Sequence, residues 1–436
     1  MQMTGYRTAL AAVLIVITGA AVAQPANDAA ATTALPQTTG LFAQYVRDGK
    51  MPGIVGLIGH DDAPAIVVAA GRVADDADAP VADRDSLWRI YSMTKPVTAM
   101  AAMILVQEGK IGLDEPVSDF IPAFKTMRVL TGPDTLDTRP ATRPITIRHL
   151  LTHTAGFGYT MITKGPLLKA YEDAGITPFT LGAKNEAQLR LRRPATLEAF
   201  ANKVASLPLI TEPGTRWSYS IGLDVMGRVI EVAAKMPFDR FLEMRIFKPL
   251  KMRSTYFTVP AAEAKRLATI YAFAAGRRVP ADPGRTSIFL QPPTFPYGGA
   301  GLVTSASDYD RFLHMLQNGG SLDGVRILKP ATVRLAMSNL LPPGVVFPGA
   351  VAGTGGPTTP QGFGAGGAVS LVSVPGGTAK GTYAWGGAGG TIAWVDPVNR
   401  VRATIMVNYL PGDHWPVRPE ATKTIYADLA LTRRLR

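Results

Sequence analysis

Strand patterns stand at both ends of this chain, with helical patterns between them. Ile54-Val55-Gly56-Leu57-Ile58 and Ile66-Val67-Val68 are short β-branched runs separated by the turn-like His60-Asp61-Asp62. Near the C-terminus, residues 391–395 and 402–409 flank Asp396-Pro397-Val398-Asn399, a hairpin signal. Two isolated hairpins are marginal in water, so the pattern predicts one discontinuous sheet, shared by both ends and carrying a helical insertion. Residues 125–295 read as mainly helical, with Pro- and Gly-rich loops. Residues 223–235 and 307–316 are the clearest amphipathic helices, and a last helix is predicted over 420–435. The Gly- and Pro-rich stretch 342–367 reads as a long mobile loop.

Such a fold needs its own core, because the 436 residues include no cysteine. A hydrophobic content of 47% can supply that core. Thiol catalysis and zinc-thiolate sites are excluded. The first residues read as a secretory signal, 1–23: Arg7 as the charged region, Ala9 to Ile17 as the apolar core, and Ala21-Val22-Ala23 as the cleavage site. That run is too short to span a bilayer, so no membrane anchor is expected after cleavage, and the expected location is periplasmic or secreted. Residues 24–38, rich in Ala and Thr, read as a disordered mature N-terminus. The formal charge is +12, but the basic residues are scattered without aromatic interleaving, so no nucleic-acid partner is expected.

The chemistry centres on Tyr91-Ser92-Met93-Thr94-Lys95-Pro96, followed by apolar residues at helical spacing up to Gly109. Pro96 is tolerated in the first turn. Serine and lysine at i and i+3 share one helix face. The positive end of the helix dipole favours a developing alkoxide at Ser92. The pair therefore suits a serine nucleophile with a lysine base, although the spacing alone also fits a solvated polar face. Two further elements join it. Tyr219 follows the turn Pro213-Gly214 and precedes a helix, where a packed aromatic is the ordinary alternative. Trp385-Gly386-Gly387-Ala388-Gly389-Gly390 enters a strand, and its glycines allow a backbone N–H to approach an oxyanion.

Together these elements resemble the serine β-lactamase and penicillin-binding-protein superfamily, whose first motif is S-x-x-K. Within it the chain is similar to the class C-like branch, in particular the family VIII carboxylesterases. The resemblance extends over residues 40–430 and includes Ile147-Arg148-His149-Leu150-Leu151-Thr152-His153-Thr154-Ala155-Gly156 and Gly299-Ala300-Gly301-Leu302-Val303-Thr304-Ser305. It implies an α/β (α+β) fold of the β-lactamase/DD-peptidase type, with an antiparallel sheet from both chain ends flanked by helices. The catalytic module would be 39–436, with a sheet lobe at about 39–90 and 365–436 and a helical lobe at about 91–310. By the resemblance, Ser92 is the acylated nucleophile, Lys95 its base and Tyr219 the proton exchanger. The oxyanion hole would be the amides of Ser92 and Ala388. No cofactor or metal is implied.

Two departures define the expected substrate. Ile221 stands where the β-lactamase tyrosine motif has asparagine, and Trp385-Gly386-Gly387 replaces K-T-G. Lys380-Gly381-Thr382 is a decoy, because the glycine pattern aligns with Trp385. Without the carboxylate-attracting lysine, Ile221, Trp385, Gly386 and Gly387 suit a small uncharged ester. The W-G-G variant is that of the esterase subgroup. The expectation is an exported carboxylesterase taking a small-molecule ester. The alternatives are a β-lactamase, amidase or D-amino-acid peptidase on the same centre, or a non-catalytic penicillin-binding envelope protein. No G-x-S-x-G elbow occurs. His149 and His153 lack the glutamate of a zinc helix. The G-x-G-x-x-G match at Gly362–Gly367 lacks its strand and helix. His60, His314 and His414 read as surface or core residues.

Overall fold

A computed structural model of the chain describes residues 29–177, 182–274, 276–349 and 359–434. The two ends do meet in one sheet. Its seven strands run in the spatial order Gln361–Phe363, Ala368–Ser370, Tyr383–Gly386, Ile392–Asp396, Val401–Met406, Gly53–His60 and Ile66–Gly71. Every neighbouring pair is antiparallel. The join between the ends is the pairing of Val55 with Met406 and Leu57 with Thr404. Asp396 makes the predicted hairpin turn, its Oδ1 accepting from the Val398 and Asn399 amides at 3.2 and 2.9 Å.

Side chains alternate across this sheet. Ile54, Ile58, Trp394 and Ile405 pack with Phe42, Tyr45 and Ile425 from the terminal helices Pro36–Arg47 and Val417–Arg434. Val55, Leu57, Ala393 and Met406 face the larger core, shared with the helices of the insertion. Both faces are covered, which is why the strand at Gly53–His60 reads as an almost continuous apolar run. Gly56 is required for the close approach, because a Cβ there would lie 2.9 Å from the Phe42 ring.

Two predicted boundaries change. The disordered N-terminus, 24–38, is helical from Ala29 onward, over Ala29–Ala34 and then Pro36–Arg47. The reason is an anchor distant in sequence: Asp428 of the last helix accepts from the Gln37 and Thr38 amides at 3.1 and 2.9 Å and from the Thr38 hydroxyl at 2.8 Å. A carboxylate there complements the free N–H groups of the helix start. The second lobe of the sheet begins at Gln361 rather than 365, so the end of the stretch predicted as a mobile loop is an edge strand. Residues 350–358 of that stretch, like the predicted signal segment 1–23, lie outside the described residues. Among the described residues, no helix is long and apolar enough to cross a membrane.

The helix Thr94–Gln107 runs through the middle of the larger core. Every residue from Thr94 to Leu105 is buried. An apolar surface on all sides is the mark of a helix enclosed by others, and Gly222–Ala234 is one of its neighbours. This places Ser92, one turn before the helix, at the boundary between core and surface.

Candidate active site

Ser92 sits in a short 3-10 turn, Tyr91–Met93, that leads directly into the buried helix. Tyr91 has φ of +40°, an unfavourable conformation for a bulky residue, held by its complete burial. The turn presents the Ser92 hydroxyl to two groups. Tyr219 donates its phenol to Ser92 Oγ at 2.6 Å, and Lys95 Nζ lies 3.3 Å from the same oxygen. The structure therefore brings together the three residues that the sequence singled out. Lys95 is fully buried and also donates to the Gly299 carbonyl at 2.8 Å. Its Nζ lies 4.6 Å from the centre of the Tyr219 ring and 5.8 Å from that of Tyr159.

Behind Gly299 is a residue that the sequence reading missed. Asp224 is completely buried, and its Oδ1 accepts the Gly299 amide at 2.8 Å. One peptide unit thus links a carboxylate to the lysine. Burial pushes the Asp224 carboxyl up to about 6, against the opposing pull of Lys95 and of hydrogen bonds from the Gly299 and Asp224 amides. Gly299 must be glycine, because a Cβ would stand 2.5 Å from Asp224 Oδ2. A signal was present in the sequence: Asp224 is an acid within the apolar run Gly222-Leu223-Asp224-Val225-Met226, five residues after Tyr219.

The Trp385 loop closes the other side. A Cβ on Gly387 would lie 2.3 Å from the Ile90 carbonyl oxygen, and one on Gly389 would lie 3.3 Å from the Tyr91 ring. These two glycines seat the loop on the backbone that carries Ser92. Among the described residues, neither the Ser92 nor the Ala388 amide donates a hydrogen bond within the protein. Arg418 of the last helix holds the loop from behind, bonding the Gly387 carbonyl and, at 3.3 Å, the Gly390 carbonyl.

Half-buried Trp385 belongs to an aromatic wall. Its ring centre is 5.8 Å from Tyr219 and 5.2 Å from Phe363, and Phe347 lies 4.7 Å from Trp217. Gly386 is half-buried beside it. Phe347 and Phe363 come from the stretch that read as a long mobile loop, where neither was expected to line the site. Ile221 is a correction. It was expected to contact substrate, but it is fully buried in the larger core at the start of the helix Gly222–Ala234, so it shapes the site only from beneath.

The remaining candidates have structural positions. His149 Nδ1 accepts the Thr146 amide at 3.1 Å and completes a capping box. His153 Nδ1 pairs with Ser220 Oγ at 3.1 Å, the ring lies 4.8 Å from Tyr219, and burial pushes its pKa well down. Lys380 is exposed in the turn before Tyr383–Gly386. Gly362 and Phe363 lie in the edge strand, and a second strand, not a helix, follows.

Comparison with known proteins agrees with this architecture. The Beta-lactamase family model matches residues 38–426. An uncharacterised protein of Mycobacterium tuberculosis is 34% identical over 377 residues, covering 83% of this chain and 87% of its own. Esterase EstB of Burkholderia gladioli is 30% identical over 388 residues, covering 84% and 88%. Among solved structures, the hydrolase EstCE1, described as having promiscuous acyltransferase activity, superposes with a TM-score of 0.73 at 27% identity, over 92% of this chain and 99% of that one. Unliganded simvastatin synthase of Aspergillus terreus shares the fold, with a TM-score of 0.76 at 23% identity over 92% and 99%. The chain belongs to the β-lactamase family, in its esterase-like branch of serine hydrolases.

Proposed function

We propose that this protein is an exported carboxylesterase that cleaves small or medium acyl esters through an acyl-enzyme on Ser92. One observation carries the reading: Ser92 Oγ is shared by Tyr219 at 2.6 Å and Lys95 at 3.3 Å, a nucleophile already in contact with a donor and a base. In the first half-reaction the Ser92 proton passes to Lys95 as Oγ bonds to the ester carbonyl carbon. The carbonyl oxygen becomes an oxyanion, received by the free amides of Ser92 and Ala388. Tyr219 gives its proton to the departing alcohol as the C–O bond breaks, and recovers one from Lys95. Water then repeats the sequence on the acyl-enzyme and releases the acid. A bound alcohol in place of water gives acyl transfer.

Trp385 supports ester over β-lactam, since it sets an apolar wall where a carboxylate-binding lysine would serve an anionic lactam. The signal-like segment 1–23 supports export, which cell fractionation tests. A fluorophosphonate should label the tryptic peptide containing Ser92, and Ser92→Ala should abolish ester turnover with the fold intact. Turnover of p-nitrophenyl esters should greatly exceed that of nitrocefin. Labelling at another serine would refute the assignment of the centre, and a nitrocefin kcat/KM matching that of every short ester would make the protein a β-lactamase.

A further inference from the structure

Tyr219 belongs to no helix or strand, because residues 216–220 are irregular chain. Its phenol nevertheless meets Ser92 Oγ at 2.6 Å. One residue holds this segment on both sides of the tyrosine. The Ser218 amide donates to the His153 carbonyl at 2.9 Å, and the Ser220 amide donates to His153 Nδ1 at 3.2 Å. Ser220 Oγ lies 3.1 Å from the same nitrogen. The neighbours of Tyr219 are thus tied to a single partner, itself completely buried. Between those two bonds the rings of His153 and Tyr219 pack with centres 4.8 Å apart.

A nitrogen that accepts an amide must carry its lone pair, so the imidazole is neutral, with its proton on Nε2. The surroundings keep it neutral: burial first, and Lys95 second, push the His153 pKa well down. Its φ of +56° lies in the left-handed region, where histidine is among the better-tolerated side chains. The ring also carries a cost. Nε2 is buried without a hydrogen-bond partner among the described residues. An apolar ring would fill the same space without that cost, but would leave the Ser220 amide without its acceptor.

We propose that His153 is a positioning residue for Tyr219, gripping the backbone on both sides so that the phenol is aimed at the departing alcohol. His153 then determines whether esters of poorly leaving alcohols are cleaved. In that step the C–O bond electrons pass to the alcohol oxygen, which takes the Tyr219 proton, and Lys95 returns a proton to Tyr219. The step rests on the esterase reading above, but the grip does not.

Ethyl butyrate and p-nitrophenyl butyrate form the same acyl-enzyme, so their kcat/KM values compare how the two alcohols leave. Nitrophenolate departs unaided, whereas ethoxide needs the proton. His153→Asn keeps a carbonyl oxygen near the place of Nδ1, and His153→Gln moves it one bond outward, beyond the Ser220 amide. His153→Gln is expected to lower kcat/KM for ethyl butyrate by about 10²-fold and for the nitrophenyl ester by less than about tenfold. His153→Asn should recover most of the loss on ethyl butyrate. If His153→Gln does not fold, His153→Phe, a ring without an acceptor, carries the same expectation. Equal losses on the two esters, or no recovery in His153→Asn, overturns the proposal. Fluorine NMR of the full-length protein with Tyr219→3-fluorotyrosine needs no turnover. One narrow resonance is expected with His153 or His153→Asn, and a shifted or broadened one with His153→Gln. An unchanged resonance in all three overturns the grip. The expected change in a protein that hydrolyses neither ester would uphold the grip and overturn the esterase reading.

Discussion

Arg89 and Lys95 are both completely buried basic side chains on either side of Ser92, and the protein treats them in opposite ways. Arg89 is fully engaged. Asp282 Oδ2 accepts from its Nε at 3.0 Å and Nη2 at 2.6 Å, Ser287 Oγ and the Asp282 carbonyl accept from Nη2 at 2.8 and 3.0 Å, and the Ala268 carbonyl accepts from Nη1. Among the described residues, Lys95 has no carboxylate in direct contact. Its firm bond is to the Gly299 carbonyl, and its other partner is the Ser92 hydroxyl. A pair like that of Arg89 ties the strand Leu87–Arg89 to the strand Arg277–Asp282; a lysine held by a carbonyl and a hydroxyl remains able to exchange a proton. The same burial thus supports structure in one place and chemistry in the other.

The largest effect should come from exchanging the lysine. Lys95→Met is expected to lower kcat by about 10²–10⁴-fold, as for a lost general base, with a melting temperature close to wild type. Arg89→Met is expected to do the reverse. It strands Asp282 in the core at a cost of about 3–5 kcal/mol, read by denaturant unfolding, while the folded fraction keeps its kcat. If Arg89→Met removes activity without loss of stability, the two basic residues do not divide their roles as described.

Asp224 sharpens the contrast through pH. Its carboxyl is raised from 3.8 to about 6, so between these values the folded protein holds a proton that the unfolded chain has released. That site therefore loses stability as pH rises from about 4 to 6, by up to about 3 kcal/mol. Asp224→Asn should become more stable relative to wild type over that window, measured by urea unfolding at each pH. In kcat/KM, wild type should show an acid limb near pH 6 that the variant lacks. Identical profiles would detach Asp224 from the lysine. The smallest effect is that of Trp385→Ala, expected to raise KM for longer acyl esters by about 1–3 kcal/mol of lost apolar contact, with little change for acetate esters.

What was legible in the sequence was whatever repeats locally or carries a motif. The hairpin at Asp396–Asn399 and the helices after Tyr219 and Ser305 followed from spacing, and the grouping of Ser92, Lys95 and Tyr219 from the family resemblance that their ordered motifs carry. What was not legible depends on partners distant in the chain. The N-terminal helices look like a polar tail until Asp428 is placed over Thr38. Phe347 and Phe363 look like stray aromatics in a loop until they stack beside Trp217 and Trp385. Ile221 was misread because its motif position faces a ligand in one pattern, whereas here the side chain turns into the core.

The pairing of Gly53–His60 with Val401–Met406 has a consequence in time. A ribosome finishes the first of these strands long before it makes the second. Until then Ile54, Val55, Leu57 and Ile58 have one edge without its native neighbour, and the two cores they separate cannot close. Sequence separation of this kind slows folding and leaves sticky edges exposed. The nascent chain should therefore behave as a client of holding chaperones throughout almost all of its synthesis, and truncations that stop before residue 401 should aggregate rather than yield a smaller folded enzyme.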